Sequence, residues 1–298
     1  MTSSSVFQRA ALGQSGLWLR LLAVFLITAM SAVIHAVGDQ AALGQVIFWR
    51  SAIALIPIVL YALWQGRGRG GLRVQLGTRN PTGHLIRSLF GAFSMLCSFV
   101  SLIYLSMANA QALAYLAPVL TLPLAVFLLG ERLSRWVIYG AILGLAGACA
   151  FLWDATEAPG QGALIGALAG LGYAVTMAFV RVHVKTLTKN DSAAAIAFYF
   201  ALTCSVLGLA TLPFGWMALS VEGQLMLIAA GLLGGLAHIA STEAVARSSV
   251  SSLAALDYTG LVWAMGFDLL LFAHWPTPLS WAGIVAILAA ATMGFLRR

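Results

Sequence analysis

Residues 116–148 read LAPVLTLPLAVFLLGERLSRWVIYGAILGLAGA, and this stretch decides the fold class. An apolar run ends at Leu129, a short turn carries Glu131, Arg132 and Arg135, and a second apolar run follows at once. Crossing a lipid bilayer takes ~20 mostly apolar residues, and each run reaches that length with its flanking residues. The stretch therefore predicts two membrane-spanning helices joined by a tight, charged connection.

The composition of the whole chain agrees with this prediction. Of its 298 residues, 61% are hydrophobic and 8% are charged, whereas a soluble domain carries roughly 25% charged residues. The class is therefore integral membrane protein, with the lipid bilayer as the surrounding solvent. The net charge of +7 does not indicate nucleic acid, because the charges lie in short connections and form no patch. The three cysteines lie singly in apolar segments and predict neither a metal site nor a cofactor.

Ten segments of the chain are long and apolar enough to span. They lie at roughly 17–37, 43–65, 83–105, 109–129, 135–153, 161–181, 193–213, 223–246, 249–273 and 278–296. The connections are short and leave no soluble domain. We therefore expect an all-α membrane protein of ten transmembrane helices.

The charged residues orient these helices, because Lys and Arg are enriched in cytoplasmic loops. With the N-terminus inside, the inner connections receive Arg67, Arg69, Arg73, Arg79, Arg132, Arg135, Arg181, Lys185, Lys189, Arg247, Arg297 and Arg298. The outer connections receive only the acids Asp39, Asp154, Glu157 and Glu222. Both termini are therefore predicted to be cytoplasmic, in a multi-pass protein.

A weak internal repeat divides the chain in two. With an offset of 143 residues, ALAY at 112–115 falls on ALDY at 255–258, and Gly140 falls on Gly283. Each half would hold five helices, an odd number, so the halves would enter the membrane in opposite orientations. We predict two inverted repeats, residues 1–153 and 154–298. Secondary transporters are often built this way, with substrate bound near the midplane between the halves.

The stretch 116–148 resembles the end of an EamA repeat of the drug/metabolite transporter superfamily. The resemblance lies in a proline-bearing fourth helix, the Gly-Glu turn and a glycine-rich fifth helix. It is weaker in the second half, where His274 stands at the position of Glu131 and no residue matches Pro118. It implies a carrier that exports small metabolites from the bacterial inner membrane, through a cavity between helices 1–4 and 6–9. Among the subfamilies, the chain looks most like the aromatic amino acid exporters.

Three of the charged residues inside the predicted spans are singled out, namely Arg50, Asp257 and Asp268. Asp257 lies eight residues into the ninth segment, or ~12 Å deep, where charges usually mark a pathway or a paired site. It is predicted to bind a substrate amino group or carry a proton; the alternative is that it caps a helix break near Gly260 or pairs structurally. Arg50 is predicted to hold a substrate carboxylate in two-pronged fashion; the alternative is a structural pair with Asp268.

Aromatic and histidine side chains complete the candidate substrate site. Tyr115 and Tyr258 occupy equivalent repeat positions near the midplane, where aromatic rings can stack a planar substrate or hold an ammonium group. Core packing and lipid contact are the alternatives. The remaining candidates are Tyr173, Trp263, His35 and His238.

Other features favour architecture over binding. Glu131 is predicted to make a local ion pair or a structural contact at the inner gate. Pro118 and Pro123 predict a bend in the fourth helix, which can serve as a hinge or remain a static kink. On the third helix, Ser98 and Ser101 belong to a small polar face that either lines a cavity or packs against a neighbour.

The sequence as a whole favours a secondary transporter that exports a small molecule, with aromatic or other hydrophobic amino acids as the cargo. A multidrug or nucleotide-sugar carrier on the same fold is the alternative. Nucleotide cargo is disfavoured because phosphates need basic residues in the cavity, and only Arg50 is placed deep. An intramembrane enzyme is disfavoured because Asp257 and Asp268 lie three helical turns apart and cannot form a close dyad. Ion coupling and the oligomeric state stay open.

Overall fold

The computed structural model describes residues 3–37, 40–67, 70–105, 107–153, 160–272 and 277–295. For residues 3–13, 107–108, 268, 271–272 and 294–295 it describes the backbone alone. Asp268 is thus placed on its helix without its side chain, and the predicted Arg50–Asp268 pair and His274 lie outside the described residues. Within the described ranges the chain is all-helical, without strands.

The helices follow one another in chain order with short connections. Thirteen α-helices are described, α1 Ser3–Val37, α2 Leu43–Gly66, α3 Gly71–Leu76, α4 Pro81–Tyr104, α5 Met107–Ala114, α6 Leu116–Leu129, α7 Arg135–Leu152, α8 Ala163–Leu187, α9 Ala193–Leu209, α10 Val221–Arg247, α11 Val250–Ala254, α12 Thr259–Phe272 and α13 Pro278–Phe295. Two 3-10 turns lie at Leu212–Phe214 and Ala255–Tyr258.

Seven candidate membrane spans occur among the described residues, judged by length and apolar composition. They are Gln14–Val37, Leu43–Gly66, Pro81–Tyr104, Asn109–Leu129, Arg135–Leu152, Ala163–Leu187 and Val221–Arg247. The other three predicted segments fall on the shorter α9, on α13, and on a segment that is broken into α11 and α12. A multi-pass membrane protein is therefore confirmed, while the count of ten spans stays a prediction.

The fourth predicted segment is interrupted at Tyr115, between α5 and α6. Pro118 explains the position of the break. Proline has no N–H to donate to the carbonyl four residues earlier, which is that of Ala114, and its ring clashes with that carbonyl. Pro118 is tolerated because it stands in the first turn of α6. The bend predicted from Pro118 and Pro123 stays a prediction; Pro123 lies farther along inside α6.

The ninth predicted segment is also interrupted, although it contains no proline. Between α11 and α12 the backbone tightens into the 3-10 turn Ala255–Tyr258, and Thr259 Oγ1 donates to Leu256 O at 2.6 Å. Gly260 follows Thr259 directly. The break therefore lies where the sequence allowed Asp257 to cap an interrupted helix. The two interruptions therefore lie at ALAY and ALDY, the stretches that the repeat aligns.

Helix packing follows matched pairs under the predicted repeat. Extensive contacts join α1 to α10 and α4 to α8, and these two contacts are equivalent if α1 matches α8 and α4 matches α10. The contacts of α6 with α8 and of α1 with α12 form a second pair, and those of α2 with α10 and of α4 with α9 a third. This pattern is the one an inverted repeat predicts, and the inverted topology itself stays a prediction.

The helices α7 and α13 pack against each other through glycines. A Cβ atom added at Gly283 would lie 2.6 Å from Gly147 O and 2.7 Å from Phe151 N, which are backbone atoms that cannot move aside cheaply. Small residues permit such close approach between membrane helices. The pair consequently forms a tightly apposed unit, in which Ala148, Leu152 and Ile287 are buried.

The connection before α9 is fixed by the carboxylate of Asp191. Its oxygens accept hydrogen bonds from Thr78 Oγ1 at 2.7 Å and Arg79 N at 3.3 Å, and Oδ2 lies 2.8 Å from His84 Nε2. Burial favours the neutral acid, but these hydrogen bonds outweigh burial and hold the pKa of Asp191 below its usual value. The carboxylate thereby joins the start of α9 to the start of α4.

Candidate functional site

Asp257 lies at the break between α11 and α12 and is held by two arginines from other helices. Oδ1 accepts a hydrogen bond from Arg20 Nε at 2.6 Å and is also contacted by Arg20 Nη2, and Oδ2 lies 2.6 Å from Arg181 Nη1. Arg20 Nη1 in turn donates to Ser241 Oγ at 2.6 Å. Only 8% of the Asp257 side chain and 10% of the Arg20 side chain are exposed. We call Arg20, Asp257 and Arg181 the charged triad.

The triad joins α1, α8 and the break before α12, and its net charge is +1. Both oxygens of Asp257 are engaged by guanidinium groups, so the acid has the structural partners that the sequence offered as the alternative to substrate binding. This arrangement favours the structural alternative for Asp257. Whether the acid also contacts cargo or carries a proton stays a prediction.

Three of the predicted tyrosines surround the triad. Tyr115 and Tyr258 stack with ring centroids 5.6 Å apart and planes 27° apart, and Tyr258 Oη donates to Tyr115 O at 3.2 Å. The charges of Asp257 and Arg181 act on the phenols of both residues and on that of Tyr173. The two helix breaks therefore contact each other through the stacked rings of Tyr115 and Tyr258, beside the charged triad.

A cleft opens next to this meeting point. It encloses about 380 Å³ and is lined by Ser98, Ser101, Leu102, Ala110, Gln111, Ala114, Gly170 and Tyr173. Ser101 Oγ is buried there without a hydrogen-bond partner. On the same face of α4 but nearer its N-terminal end, Ser94 Oγ lies 2.6 Å from Thr176 Oγ1, within hydrogen-bond distance. The small polar face of α4 therefore packs at Ser94 and lines a cleft at Ser98 and Ser101.

A second, smaller cavity of about 220 Å³ brings together two other predicted residues, Arg50 and His238. Its remaining lining residues are Ser51, Ala54, Phe200, Ala201 and Gly234. The Phe200 ring lies edge-on to His238, with centroids 5.2 Å apart, and the guanidinium carbon of Arg87 lies 4.0 Å from the centre of the same ring. Arg50 on α2 thus lines the cavity, and Arg87 on α4 contacts the Phe200 ring that also lines it.

The remaining predicted substrate residues lie apart from these two groups. Trp263 is 39% exposed and packs edge-on against Phe25, with ring centroids 5.0 Å apart. His35 is exposed two residues before the end of α1. Neither belongs to the charged triad or to either cavity lining.

Glu131 makes contacts across the bundle and not to its neighbouring arginines. Gly130, with φ of 65°, ends α6 in the left-handed conformation, and the Glu131 carboxylate then accepts from Val250 N at 2.8 Å, Ser251 N at 3.0 Å and Ser251 Oγ at 2.5 Å. Nearby, Lys185 Nζ donates to the carbonyls that end α10, Val245 O at 2.6 Å among them. These bonds close the predicted inner ends of α6, α8, α10 and α11 against one another.

Three arginines of these groups were missed or misplaced by the sequence reasoning. Arg20 and Arg87 were not singled out, and Arg181 was assigned to an inner connection although it lies inside α8, six residues before its end. The signal was available, because any charged residue inside an apolar span is expensive and needs an explanation. Arg50 is therefore not the sole deep basic residue, so a shortage of deep basic residues no longer disfavours phosphate-bearing cargo.

Comparisons with known proteins agree with a transporter. The EamA-like transporter family matches residues 14–153. The pseudopaline exporter CntI of Pseudomonas aeruginosa is 27% identical over 281 residues, which cover 93% of this chain and 94% of the exporter. The S-adenosylmethionine uptake transporter of Rickettsia felis is 26% identical over 245 residues, which cover 82% of this chain and 78% of that transporter.

The likeness extends to eukaryotes and to a solved structure. Mouse solute carrier family 35 member G1 is 24% identical over 95% of this chain and 78% of its own. One crystal structure superposes with a TM-score of 0.79 at 22% identity, covering 95% of this chain and 97% of that one. At this identity the superposition concerns the fold alone. Taken together, these matches show that the chain is similar to membrane transporters over most of its length.

Proposed function

We propose that this chain, whose residues 14–153 match the EamA-like transporter family, is a secondary carrier that exports small metabolites. The expected cargo is an aromatic or another hydrophobic amino acid. The carrier would work by alternating access of two inverted repeats, 1–153 and 154–298, in the bacterial inner membrane. The observation that carries the proposal is the meeting of the two helix breaks at Tyr115 and Tyr258.

Interrupted helices suit a carrier for a physical reason. A break frees backbone groups at membrane depth, and such groups are tolerated only where they are buried in protein or line a polar cavity. Here both breaks are buried in one place, and the cleft of about 380 Å³ lies alongside. Each break also provides a point where the two parts of a helix can change their relative angle. We infer that the halves rock about the contact between Tyr115 and Tyr258.

The inner side carries bonds that would act as a gate. The carboxylate of Glu131 holds the start of α11, and the ammonium group of Lys185 holds the end of α10. Loading from the cytoplasm would require these bonds to open. Their number and charge make the closed inner side the stable form, because hydrogen bonds to charged groups contribute ~1.5–3 kcal/mol each.

The cleft offers the chemistry that an aromatic or hydrophobic amino acid needs. The Tyr173 ring and Leu102 supply apolar and aromatic contact, while Gln111 and the unpartnered Ser101 hydroxyl supply hydrogen bonds. The export direction is carried over from the pseudopaline exporter. The uptake transporter for S-adenosylmethionine has the opposite direction, so direction must be measured.

Reconstituted liposomes test the proposal. Radiolabelled phenylalanine, tyrosine, tryptophan and leucine should show saturable flux, and tryptophan added to one side should accelerate exit of label from the other. Absence of saturable flux for every amino acid would remove this function. Inside-out and right-side-out vesicles then give the direction.

A matched pair of variants tests the role of the helix breaks. Tyr258→Phe removes the hydrogen bond to Tyr115 O, worth about 1 kcal/mol, and should change the rate of flux about five-fold. Tyr139→Phe removes a hydroxyl from a tyrosine that is 55% exposed on α7 and should leave flux unchanged. Equal flux in the two variants would contradict a pivot at the breaks.

A multidrug or nucleotide-sugar carrier is the second candidate. The deep arginines favour its anionic member, the nucleotide sugar, over cationic drugs. Liposomes preloaded with labelled UMP or UDP-glucose give the test, and saturable exchange of either would replace amino acids with nucleotides as the cargo.

A further inference from the structure

We propose that the cavity of about 220 Å³ beside Arg50 is an anion subsite that takes the carboxylate of the transported molecule, with Arg87 as its second positive charge. The inference rests on the proposed transport function and narrows its cargo to molecules with an anionic end.

The charge distribution around this cavity carries the inference. Arg50 Nη2 points at Met95 Sδ, 3.6 Å away, which is a weak acceptor. Arg87 Nε and Nη1 are buried without an acceptor. Among the side chains that the structure describes, no carboxylate forms an ion pair with either arginine, whereas Arg20 and Arg181 share Asp257. The two cations of this cavity are thus uncompensated within the described part of the chain.

The two positive charges also act on common neighbours. Both influence the imidazole of His238 and the thiol of Cys204, so both lie in one electrostatic environment. A guanidinium taken out of water without a counter-ion is strongly destabilised, and two of the same sign repel each other. The face of Phe200 offsets this only in part for Arg87. An anion that enters the cavity would relieve both penalties.

The local packing prepares Arg87 for this role. A Cβ atom added at Gly91 would lie 2.5 Å from Arg87 Nη1 and 2.8 Å from Phe200 Cε2. Glycine at this position therefore leaves room for the guanidinium between the α4 backbone and the phenylalanine ring. The side chain is held in place without an acid.

The lining of the cavity indicates a carboxylate. The planar fork of a guanidinium matches a carboxylate with two parallel hydrogen bonds. Apart from Arg50 and His238, the wall offers the Ser51 hydroxyl and apolar groups, which suits one small anionic group with a hydrophobic continuation.

Binding to the purified full chain in detergent tests the subsite without transport. The probes are 3-phenylpropanoate, its neutral amide and phenethylamine, and the readout is the shift in the midpoint of thermal unfolding. The acid should raise the midpoint in a saturable manner, while the amide and the amine should not. A shift with the amide equal to that with the acid would overturn the proposal.

The variants Arg50→Gln and Arg87→Gln should each raise the half-saturating concentration of the acid by about 10- to 100-fold, as expected for loss of a charge-assisted bond. Arg87→Lys keeps the positive charge but lacks the planar pair of guanidinium donors, so it should recover part of the lost affinity for the acid. Arg73→Gln removes a positive charge from the exposed side of α3 and should behave as the parent. Unchanged affinity in both Gln variants would overturn the proposal.

A readout without ligand separates binding from structure. Because each Gln variant relieves repulsion between uncompensated charges, its unfolding midpoint without ligand should equal or exceed that of the parent. A lower midpoint together with intact acid binding would make the arginines structural. Asp268→Asn gives a further control: acid binding that arises only in this variant would show that Asp268 neutralises Arg50, and would overturn the proposal.

Two more outcomes separate the subsite from the transport function. Phenyl phosphate that binds more tightly than the acid, through both arginines, would replace carboxylate with phosphate as the anion. Acid binding without flux of any amino acid would leave the subsite standing and remove the proposed function. Flux that persists in Arg50→Gln, with no acid-induced shift in the parent, would leave the proposed function standing and remove the subsite.

Discussion

Replacing Asp257 by Asn should destabilise the protein strongly, and the contacts of the triad give the magnitude. The substitution keeps the shape of the side chain but removes the one negative charge between Arg20 and Arg181. Breaking a buried ion pair by removing one partner costs about 3–5 kcal/mol, because the other charge is left uncompensated. Here two charges lose their counter-ion, and their mutual repulsion, already present in the parent, is no longer outweighed, so we expect a cost at or above the upper end of this range.

The reverse substitution should be far milder. Arg181→Gln leaves Asp257 with Arg20, so the triad becomes a neutral pair instead of carrying +1. Repulsion between the two arginines disappears, and this offsets much of the attraction between Arg181 and Asp257 that is lost. We expect a change within about 1 kcal/mol in either direction.

The assay is thermal unfolding of the detergent-purified parent, both single variants and the double variant. At about 2–4 °C per kcal/mol, Asp257→Asn should lower the midpoint by about 10 °C or more, and Arg181→Gln by no more than about 3 °C. In the double variant one uncompensated arginine remains, so its midpoint should lie between those of the two singles. If Asp257→Asn is as stable as the parent, Asp257 is not the structural counter-ion of the two arginines, and its predicted substrate or proton role regains priority.

Three other perturbations follow from the packing and the hydrogen bonds. Asp191→Asn should destabilise the protein at neutral pH by about 1–3 kcal/mol; because the folded pKa of Asp191 is depressed, the difference from the parent should persist above pH ~4 and vanish as the pH falls through the folded pKa. Glu131→Ala should speed amide hydrogen exchange at the start of α11, and an unchanged rate would mean that other bonds hold that end. Gly283→Ala, whose new methyl group would meet Gly147 O, should cost about 1–3 kcal/mol, whereas Gly266→Ala, with open space around it, should cost far less.

Most of the helix pattern was predictable because the bilayer imposes length and polarity on each span. The predicted segments 43–65 and 109–129 differ by at most one residue at either end from the described span Leu43–Gly66 and from Asn109–Leu129. The break after Ala114 follows from Pro118 by simple stereochemistry. The break at Asp257 is different, since no proline causes it, and a charged residue near Gly260 was its only local signal.

The triad and the second cavity could not be predicted with the same means. Arg20 and Asp257 are separated by 237 residues in the chain, and which of several acids meets which base depends on how the helices pack and rotate. A register difference of one turn also decides whether Arg181 belongs to a loop or to a span. Positive-inside counting assigned it to the loop, because the rule weighs charge near the membrane ends without resolving depth.

The two groups of arginines give the interior of this protein a consistent sign. The triad carries +1, and Arg50 with Arg87 carries +2 among the described side chains, so a cationic drug would meet repulsion where an anion would be attracted. This sign also bears on energy coupling. With the cell interior negative, export of one negative charge is favoured by about 2.3 kcal/mol per 100 mV. A cargo with a carboxylate and no ammonium group would therefore leave the cell down its electrical gradient without a coupled proton, whereas a zwitterionic amino acid would depend on its concentration gradient alone.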